Sequence, residues 1–553
     1  FHTAFQSNVP QRIFLRLMFW YLFKVKLELV IHQPQKPSLL RFIKNNMKKI
    51  VVLLLILCAN YAQSQEKKNV PIKNTQKGFF MVDYLSVDMP STNEVNMGLT
   101  GIHYNASFQK FYTGLGMYGS VRGIRGGFFT LGVNAGYKNN LTKNIFIDTG
   151  VHFGGGGGAG APDGGGAFIL PHLDIGFEFK KFSFTTGYSY INFFDKGAIE
   201  HQQLRFGLQI PVHFSSTSIE NSEKEFTVNE LKTSSWNQKP SRTSFMLHLN
   251  NLSVIGNSKY GDGRSLVGNT IRLAGFEINS YLNKNWFYFA KFDGAYDGIR
   301  AGYMDILLGA GYQFSFNNNK TNILTKFGMG AGGGGGVDSQ GGVLLYPDIS
   351  VEQHIVNNTY LSINKGFMMS PNSFFKSATF GVGLKYYSNI NGITTTAKDA
   401  RAVFKGIEVI VKQDAYLNAK RMTDPTENLH QISLQLNYHL NKNIYVAGQT
   451  SFANFGNAGA YAEGIVGFGV QSNYFMNNKI NIFLQGLAGG AGGGNIDTGE
   501  GFILKPSLGF NYTLNKKIAL RSSAGFIKAI GGALSSSSVT IGISYRLSFL
   551  TSK

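Results

Sequence analysis

The sequence is poor in cysteine, in charged residues and in long hydrophobic runs. Its single cysteine, Cys58, lies near the N-terminus, so the remaining chain forms no internal disulfide and is not a disulfide-stapled scaffold. Only 15% of the 553 residues are charged, and no basic patch stands out, which argues against nucleic-acid binding. After residue 64, no apolar run reaches the roughly 18 residues of a transmembrane helix. The chain has 68 glycines and 14% aromatic residues without a helical period, a composition that favours β structure.

Residues 47–64 have the layout of a secretory signal peptide. Two lysines follow the initial methionine, residues 50–58 form an apolar run, and residues 62–64 form a small-x-small cleavage site. The apolar run is too short to span a bilayer as a helix. We therefore expect translation to start at Met47 and cleavage to follow Ser64.

Residues 1–46 precede this signal, and we expect them to be upstream sequence read in frame. The alternative is a genuine extension with an interfacial segment near residues 14–30. A lipoprotein acylated at Cys58 is an alternative to cleavage after Ser64, but Leu57 stands where a small residue is normally needed.

One pattern occurs three times in the chain. Each copy has a glycine-rich stretch followed by a strand that opens on proline, at Pro171, Pro347 and Pro506, and these prolines are 176 and 159 residues apart. An upstream marker agrees, since the glycines that begin GIRGGF, GIRAGY and GNAGAY are 175 and 158 residues apart. Two markers with nearly equal offsets predict a repeated module of about 150 residues, too large for a solenoid unit.

The last part of the chain alternates strictly between apolar and polar residues. From Val539 to Phe549, the odd-numbered residues are large and apolar, and the even-numbered residues are polar or glycine. This period of two predicts a strand of 11 residues, a length that crosses a membrane at a tilt of about 45°. Residues 204–214 and 379–387 end the first two copies with the same alternation.

Short and long connections alternate along each copy. We count eight strand-like segments per copy, 24 in all, and tight turns such as FQKF, YLNKNW and HLNKNI follow even-numbered strands. Most connections after odd-numbered strands are longer and include the glycine tracts. This alternation indicates a transmembrane barrel with short periplasmic turns and long outer loops. Asparagine and lysine suit the left-handed conformations and the exposure of tight turns.

The strands that end the copies resemble the C-terminal strand of Gram-negative outer-membrane β-barrel proteins, which typically ends in an aromatic residue. Here four residues follow Phe549, a small departure. The signal peptide and the Asn/Lys/Phe/Gly-rich composition are similar to those of Bacteroidota. The resemblance covers residues 65–553 and is specific for the class of protein, not for a family. It implies a location in the cell outer membrane, contact with lipid and lipopolysaccharide, and recognition of the C-terminal strand by the barrel-assembly machinery.

The predicted fold class is all-β: a transmembrane antiparallel up-and-down β-barrel with 24 strands in three eight-stranded modules. We favour three tandem small barrels, and one 24-stranded barrel is the alternative. The joins 215–242 and 388–403 favour separate barrels because a single barrel would join its copies by short turns. Small or compact residues at inward positions suit tight closure. These are Tyr112, Gly114, Gly116, Tyr118, Thr130, Gly132, Asn134 and Gly136.

The predicted organisation divides the chain at the cleavage site and at the joins. Its segments are an upstream extension (1–46), a signal peptide (47–64), an N-terminal segment (65–77), module 1 (78–214), a polar linker (215–242), module 2 (243–387), a linker (388–403), module 3 (404–549) and a C-terminal tail (550–553).

The glycine tracts do not predict a nucleotide site. They lack the Gly-Lys-Ser/Thr ending of a phosphate loop, and they lead into strands instead of helices. Glycine at these positions permits a sharp bend or a close approach of neighbouring backbones. Asp163, Asp338 and Asp497 recur beside the tracts, where a carboxylate either binds a cation or serves as a favoured turn residue.

Module 1 contains residues that invite comparison with lipid A deacylases, outer-membrane barrels whose activity depends on a His and a Ser near the outer rim. Ser189, Asp195, Glu200 and His201 lie in the matching region, but the order and spacing of a His-x-Ser motif are missing.

Two other sets of polar residues are candidate sites. His152, His172 and Asp174 fit no metal-ligand spacing, and lumen-facing positions explain them better. Arg125 and Arg300 recur in the GIR markers as candidate contacts for lipopolysaccharide phosphate, and Ala458 replaces them in copy 3. A solvated loop charge is the default interpretation.

The sequence therefore predicts no catalytic, metal or cofactor-binding residues and no cofactor. The first functional hypothesis is a non-enzymatic outer-membrane protein whose glycine-rich loops have a structural or surface-binding role. The second is a porin-like diffusion channel formed by one wide barrel, and the third is a lipid A-modifying hydrolase.

Overall fold

A computed structural model describes residues 69–299, 301–393 and 401–552, and these residues form mainly antiparallel strands. The predicted upstream extension and signal peptide, residues 1–64, lie outside the described residues, as does the beginning of the predicted N-terminal segment.

Barrel 1 closes because β1 pairs with both β2 and β8. Its strands are β1 (Asn74–Val87), β2 (Met97–Phe108), β3 (Phe111–Arg122), β4 (Phe129–Asn140), β5 (Ile145–Gly157), β6 (Phe168–Glu178), β7 (Ser183–Phe193) and β8 (Glu200–Ser216).

Barrel 2 follows a short strand, β9 (Glu225–Thr227), and closes through the pairing of β10 with β17. Its strands are β10 (Ser241–Ile255), β11 (Thr270–Tyr281), β12 (Trp286–Asp297), β13 (Met304–Phe316), β14 (Thr321–Gly333), β15 (Val343–Val356), β16 (Thr359–Met369) and β17 (Lys376–Ile390).

Barrel 3 closes through the pairing of β18 with β25. Its strands are β18 (Arg401–Ala419), β19 (Glu427–His439), β20 (Ile444–Phe455), β21 (Ala462–Gln471), β22 (Ile480–Gly492), β23 (Phe502–Thr513), β24 (Ile518–Ala529) and β25 (Ser535–Ser552). The prediction of three eight-stranded barrels is confirmed, and a single 24-stranded barrel is not formed.

Each barrel carries its polar side chains inside and its apolar side chains outside. In β25, Ile541 is 67% exposed, whereas its neighbour Thr540 is 5% exposed and Arg546 is 2% exposed. In β8, the exposed Leu204 and Phe206 flank the buried Arg205 in the same way. The period of two thus places the apolar face outward, the reverse of the arrangement in a water-soluble sandwich.

Glycines inside the barrels make room for the rings of neighbouring strands. A methyl group on Gly116 would lie 1.8 Å from His103 Nδ1, and one on Gly136 would lie 2.2 Å from the Tyr112 ring. The predicted inward positions Tyr112, Tyr118, Thr130 and Asn134 are all buried. A narrow barrel is filled by alternating large side chains with residues that have none.

The barrels have two distinct ends. At the turn end, tight connections join consecutive strands, and several contain asparagines in the left-handed region, such as Asn317, Asn318 and Asn319. At the loop end, the connections are mostly longer and include the glycine tracts. The predicted alternation of short and long connections is present in barrels 1 and 2. In barrel 3 the turn-end connection 472–479 departs from it, since it is longer than the loop-end connections 456–461 and 530–534.

The joins between barrels meet in an apolar cluster at the turn end, here called the turn-end cap. The predicted polar linker contains a 3-10 turn (Ile219–Asn221), β9 and the helix α1 (Val228–Lys232). Strand β9 pairs with β18, so this linker packs beneath barrel 3. The members of the turn-end cap are Phe226, Val228, Leu231, Trp236, Ile393, Ala402, Phe404 and Leu550.

All six predicted ends of the modules differ from the structure, since the barrels span 74–216, 241–390 and 401–552 instead of the predicted 78–214, 243–387 and 404–549. The first and the last end show the reason. Strand β1 begins at Asn74, inside the predicted N-terminal segment, because Asn74 pairs with Ser216. Strand β25 continues through the predicted tail to Ser552, because Thr551 pairs with Val403 and Leu550 is buried in the turn-end cap. The length of these strands is decided by partners in the joins, which the repeat alone does not specify.

Among the described residues, no helix has both the length and the apolar character needed to cross a membrane.

Candidate functional site

The two repeated markers meet at the loop end, in a contact region here called the loop junction. The connection between β3 and β4 of barrel 1 packs against the glycine tract of barrel 2, and Gly126 N–H donates a 2.6 Å hydrogen bond to the Gln340 carbonyl. A methyl group on Gly127 would lie 2.3 Å from the Gly334 nitrogen. Two backbones approach this closely only where neither residue carries a side chain.

Barrel 2 contacts barrel 3 through the same pair of elements. A methyl group on Gly492 of the barrel 3 tract would lie 2.7 Å from the Ala301 Cβ and 2.7 Å from the Gly302 nitrogen. One on Gly501 would lie 3.3 Å from the Ala301 Cβ. The connection between β12 and β13 therefore packs against the glycine tract of barrel 3 in the same way that the connection between β3 and β4 packs against the glycine tract of barrel 2.

Barrel 3 in turn contacts barrel 1. Gly459 N–H donates a 2.9 Å hydrogen bond to the Gly164 carbonyl, in the tract of barrel 1. Methyl groups on Gly155 and Gly166 would each lie 2.5 Å from the Ala453 carbonyl oxygen. The three contacts run from barrel 1 to barrel 2, from barrel 2 to barrel 3 and from barrel 3 to barrel 1, so they form a closed cycle.

The strands beneath the loop junction follow the same cycle. The third strand of each barrel contacts the fifth strand of the next, in the pairs β3 with β14, β12 with β22 and β20 with β5. Outward-facing apolar residues of all three barrels are buried between these strands. They include Phe129, Leu131, Ile306, Ala331 and Phe452.

The three aspartates beside the tracts are not equivalent. The Asp163 N–H donates to the carbonyl two residues earlier, and the Asp163 carbonyl accepts from the N–H of the glycine three residues later. Ser339 and Thr498 make the same two hydrogen bonds in barrels 2 and 3. Asp163 is thus in register with Ser339 and Thr498, whereas Asp338 and Asp497 each lie one position earlier. The prediction of a recurring aspartate is wrong in this respect.

Asp163 is buried at the contact between barrels 1 and 3. Its Oδ2 accepts a 2.7 Å hydrogen bond from Gly158 N–H, and a methyl group on Gly459 would lie 2.7 Å from its Oδ1. Burial raises the pKa of Asp163 to about 7, against the lowering effects of the Gly158 N–H and of Arg125. No group of three or more potential metal-ligating His, Cys, Asp or Glu side chains occurs in the part of the chain that the structure describes.

Arg125 supports the junction from within barrel 1. Its guanidinium forms a bidentate pair with Glu94, at 2.7 Å for both bonds, and donates to the carbonyls of Ala159 and Gly160 at 2.9 and 2.7 Å. The hydrogen bond to Glu94 raises the pKa of Arg125. This arginine holds the glycine tract in place and is not a solvated loop charge.

In barrel 3 the marker carries Ala458 instead of arginine, and this alanine is buried. Arg421, from the connection after β18, supplies a guanidinium there instead, and it donates to the Asn457 carbonyl of the marker at 2.9 Å and to the Gly494 carbonyl of the glycine tract at 3.4 Å. Sequence comparison of the markers did not reveal Arg421 because it lies in a different connection. Arg300 of barrel 2 lies outside the described residues.

The four residues compared with lipid A deacylases have separate partners. Ser189 Oγ accepts a 3.0 Å hydrogen bond from Gln203 inside barrel 1, whereas His201 lies 3.0 Å from Asp88 at the loop end. Asp195 accepts from Gly456 N–H of barrel 3 at 3.2 Å, and Glu200 accepts from Tyr190 at 2.6 Å. These four side chains therefore lie in different parts of the molecule, namely the lumen, the rim and the loop junction, and do not form one site.

The lumen of each barrel contains a cation that bridges two carboxylates. Arg205 lies 2.7 Å from Asp83 and 2.8 Å from Asp174 in barrel 1. Lys326 lies 2.8 Å from Glu277 and 3.2 Å from Asp348 in barrel 2. Lys505 lies 2.7 Å from Asp414 and 3.0 Å from Glu463 in barrel 3. All nine groups are buried.

Histidines complete the filling of barrel 1. His152 Nδ1 lies 2.6 Å from Asn134, and His172 lies 3.7 Å from Asp148. Their prediction as lumen-facing polar residues, together with Asp174, agrees with these positions. Sequence reasoning missed the bridging cations because they lie on different strands in the three barrels, although their alternation with apolar residues is visible in the sequence.

Comparisons with known proteins give no family. No family model matches the chain. No curated protein matches it.

Solved structures provide distant similarities to β-barrel proteins. The ferric enterobactin receptor PfeA of Pseudomonas aeruginosa is 8% identical, with a TM-score of 0.26 over 87% of this chain and 82% of that chain. Pseudomonas aeruginosa OccK10 (OpdN) is 9% identical, with a TM-score of 0.20 over 86% and 99%. The NanC porin is 9% identical, with a TM-score of 0.15 over 54% and 98%. Superpositions this poor carry no inference about function.

Proposed function

We propose that the chain is a non-enzymatic outer-membrane protein in which three small barrels act as one structural unit. The observation that carries this proposal is the reversal of side-chain burial along the strands. Leu204 and Ile541 are exposed, while Arg205 and Thr540 beside them are buried. Only a lipid environment makes that arrangement favourable, because it supplies an apolar solvent for the outer face.

The glycine-rich loops then have a structural role in preference to a surface-binding one. Most of the tract glycines of barrel 1 are buried, and several pack against the end of β20 and the connection that follows it in barrel 3. A ligand-binding loop would instead present exposed side chains. The barrel-assembly machinery remains the proposed partner of β25, whose outward face carries Val539, Ile541 and Ile543.

The porin-like alternative depended on the wide lumen of one 24-stranded barrel. The three closed barrels have lumens filled by ion pairs such as Lys326 with Glu277, which leave no wide aqueous path among the described residues. The hydrolase alternative depended on a joint site for Ser189 and His201, which have different partners.

Folding into lipid vesicles followed by conductance measurement in planar bilayers tests the proposal. We expect the protein to insert in a form that resists protease and migrates differently in gel electrophoresis before and after heating. We expect no stepwise single-channel conductance of porin size. Failure to insert into any bilayer would overturn the membrane assignment. Regular porin-like steps that disappear in a heat-denatured sample would instead support the channel.

A further inference from the structure

The connections that join consecutive strands of one barrel at the turn end carry positive charge only. Nine connections join consecutive strands at this end of the three barrels, and within them no residue is Asp or Glu. Ten exposed lysines, here called the turn-end lysines, lie in eight of the nine. They are Lys110, Lys143, Lys180, Lys181, Lys284, Lys320, Lys442, Lys479, Lys516 and Lys517.

Exposed apolar side chains directly flank these lysines. Phe179 and Phe182 stack on each other at 4.9 Å on either side of Lys180 and Lys181, and both rings are exposed. Lys284 lies two residues before the exposed Trp286. The apolar outer face of the barrels therefore extends to the residues beside the charges, which places the ammonium groups at the boundary between hydrocarbon and water.

The loop end differs because it contains charges of both signs that pair with each other. Arg264 lies 2.8 Å from Asp262, and Arg125 lies 2.7 Å from Glu94. Among the ion pairs of the described residues, the one that involves a turn-end lysine joins Lys516 to Glu220 at 3.5 Å. The strand-to-strand connections of the turn end thus carry cations that are mostly unpaired, and the acidic residues of this end lie in the linker, at Glu220, Glu223, Glu225 and Glu230.

We propose that the turn-end lysines form a binding surface for the anionic phosphate headgroups of phospholipids in the leaflet that this end of the barrels faces. The inference rests on the proposed membrane location. Anionic headgroups attract lysines that lie at the membrane surface, and the attraction decays within a Debye length. The long apolar stem of lysine can cover apolar surface at the boundary while its ammonium reaches the phosphate.

The test compares two variants that each lose five lysines. The turn-end variant replaces Lys110, Lys143, Lys180, Lys284 and Lys442 with glutamine. The matched control replaces the exposed loop-end residues Lys196, Lys259, Lys376, Lys420 and Lys528 with glutamine. The thermal unfolding midpoint is measured at low salt in phosphatidylcholine vesicles and in vesicles of equal parts phosphatidylcholine and phosphatidylglycerol.

We expect the wild type and the loop-end variant to unfold at a higher temperature in the anionic vesicles, and the turn-end variant to lose at least half of this gain. An arginine version of the turn-end variant keeps the charge and should keep the gain. An undiminished gain in the turn-end glutamine variant would overturn the proposal. Should that variant fail to fold, loss of the wild-type gain in high salt supports the proposal and persistence of the gain overturns it.

Two further outcomes separate the possible causes of failure. If the wild type inserts into neither kind of vesicle, the membrane location itself is wrong, whatever the lysines bind. If inorganic phosphate added to phosphatidylcholine vesicles reproduces the gain, the lysines recognise a free anion and the assignment to lipid headgroups is overturned.

Discussion

The three barrels contact one another at both ends, through closely packed backbone at the loop end and, at the turn end, through the apolar turn-end cap and a short backbone pairing of β17 with β25. The loop junction consists of backbone on backbone, at positions such as Gly127 against Gly334. The turn-end cap consists of large side chains, with Trp236 packed at 5.1 Å against Phe404. Two kinds of sequence therefore produce one assembly: glycine where chains must approach closely, and aromatic residues where a gap must be filled.

The two regions also differ in symmetry. The loop junction uses the same pair of elements three times, because every copy of the repeat carries both markers. The turn-end cap occurs once and depends on the unique join between barrels 1 and 2, which contributes Phe226 and Trp236. The repeated modules already contain every element of the cyclic contact, so the loop junction requires no sequence outside them. The turn-end cap requires the linker, and its pairing with barrel 3 determines where the linker lies.

The largest expected effect concerns the turn-end cap. Trp236 is fully buried and donates a 2.7 Å hydrogen bond to the Pro71 carbonyl. Trp236→Ala should lower the free energy of unfolding by about 3–5 kcal/mol and expose the linker 215–242 to protease. Trp286→Ala removes a half-exposed tryptophan at the turn end and is the matched control. Equal protease resistance in the two variants would contradict a stabilising role for the cap.

The next effect concerns Asp163 and pH. Its pKa of about 7 in the folded protein is above the ordinary 3.8, so the folded state holds a proton that the unfolded chain releases. The stability should therefore fall as pH rises from about 4 to about 7, by as much as about 4 kcal/mol. Asp163→Asn should flatten this decline in unfolding midpoints measured across the range.

Asp338→Asn is the control for that measurement, since Asp338 lies one position before the equivalent site in barrel 2 and is only partly buried. The decline should persist in this variant. If both variants keep the wild-type pH profile, the dependence originates elsewhere and Asp163 does not carry it.

The smallest effect separates close approach from backbone conformation at the loop junction. Gly127 has a φ of +93° and faces the Gly334 nitrogen, whereas Gly263 has a φ of +85° with no neighbour within 4 Å. Alanine at either position incurs the left-handed penalty of about 1–2 kcal/mol. Gly127→Ala should cost a further 1–3 kcal/mol or so, because two packed backbones must separate. Equal unfolding midpoints would show that the junction is not tightly packed there.

Much of the fold was predictable from the sequence because alternation has a direct physical meaning. The residues from Val539 to Phe549 show a strand and its two faces, and the inward position of Tyr112 follows from the same rule. The junction was less accessible. Asp163, Asp338 and Asp497 look equivalent as neighbours of glycine tracts, and only the hydrogen-bond register places Asp163 with Ser339.

By itself, the sequence determined the strand count of each module, the polar lumen, the apolar outer face and the presence of three copies. These properties depend on local periodicity and on repetition, which a single chain displays in order. Only the tertiary structure decided that each module closes on itself, that the two markers of different barrels meet, and that Arg421 takes the place left by Ala458. Those outcomes depend on which segments, distant in the sequence, come within hydrogen-bond distance of each other. The local periodicity of the sequence contains no information about such contacts.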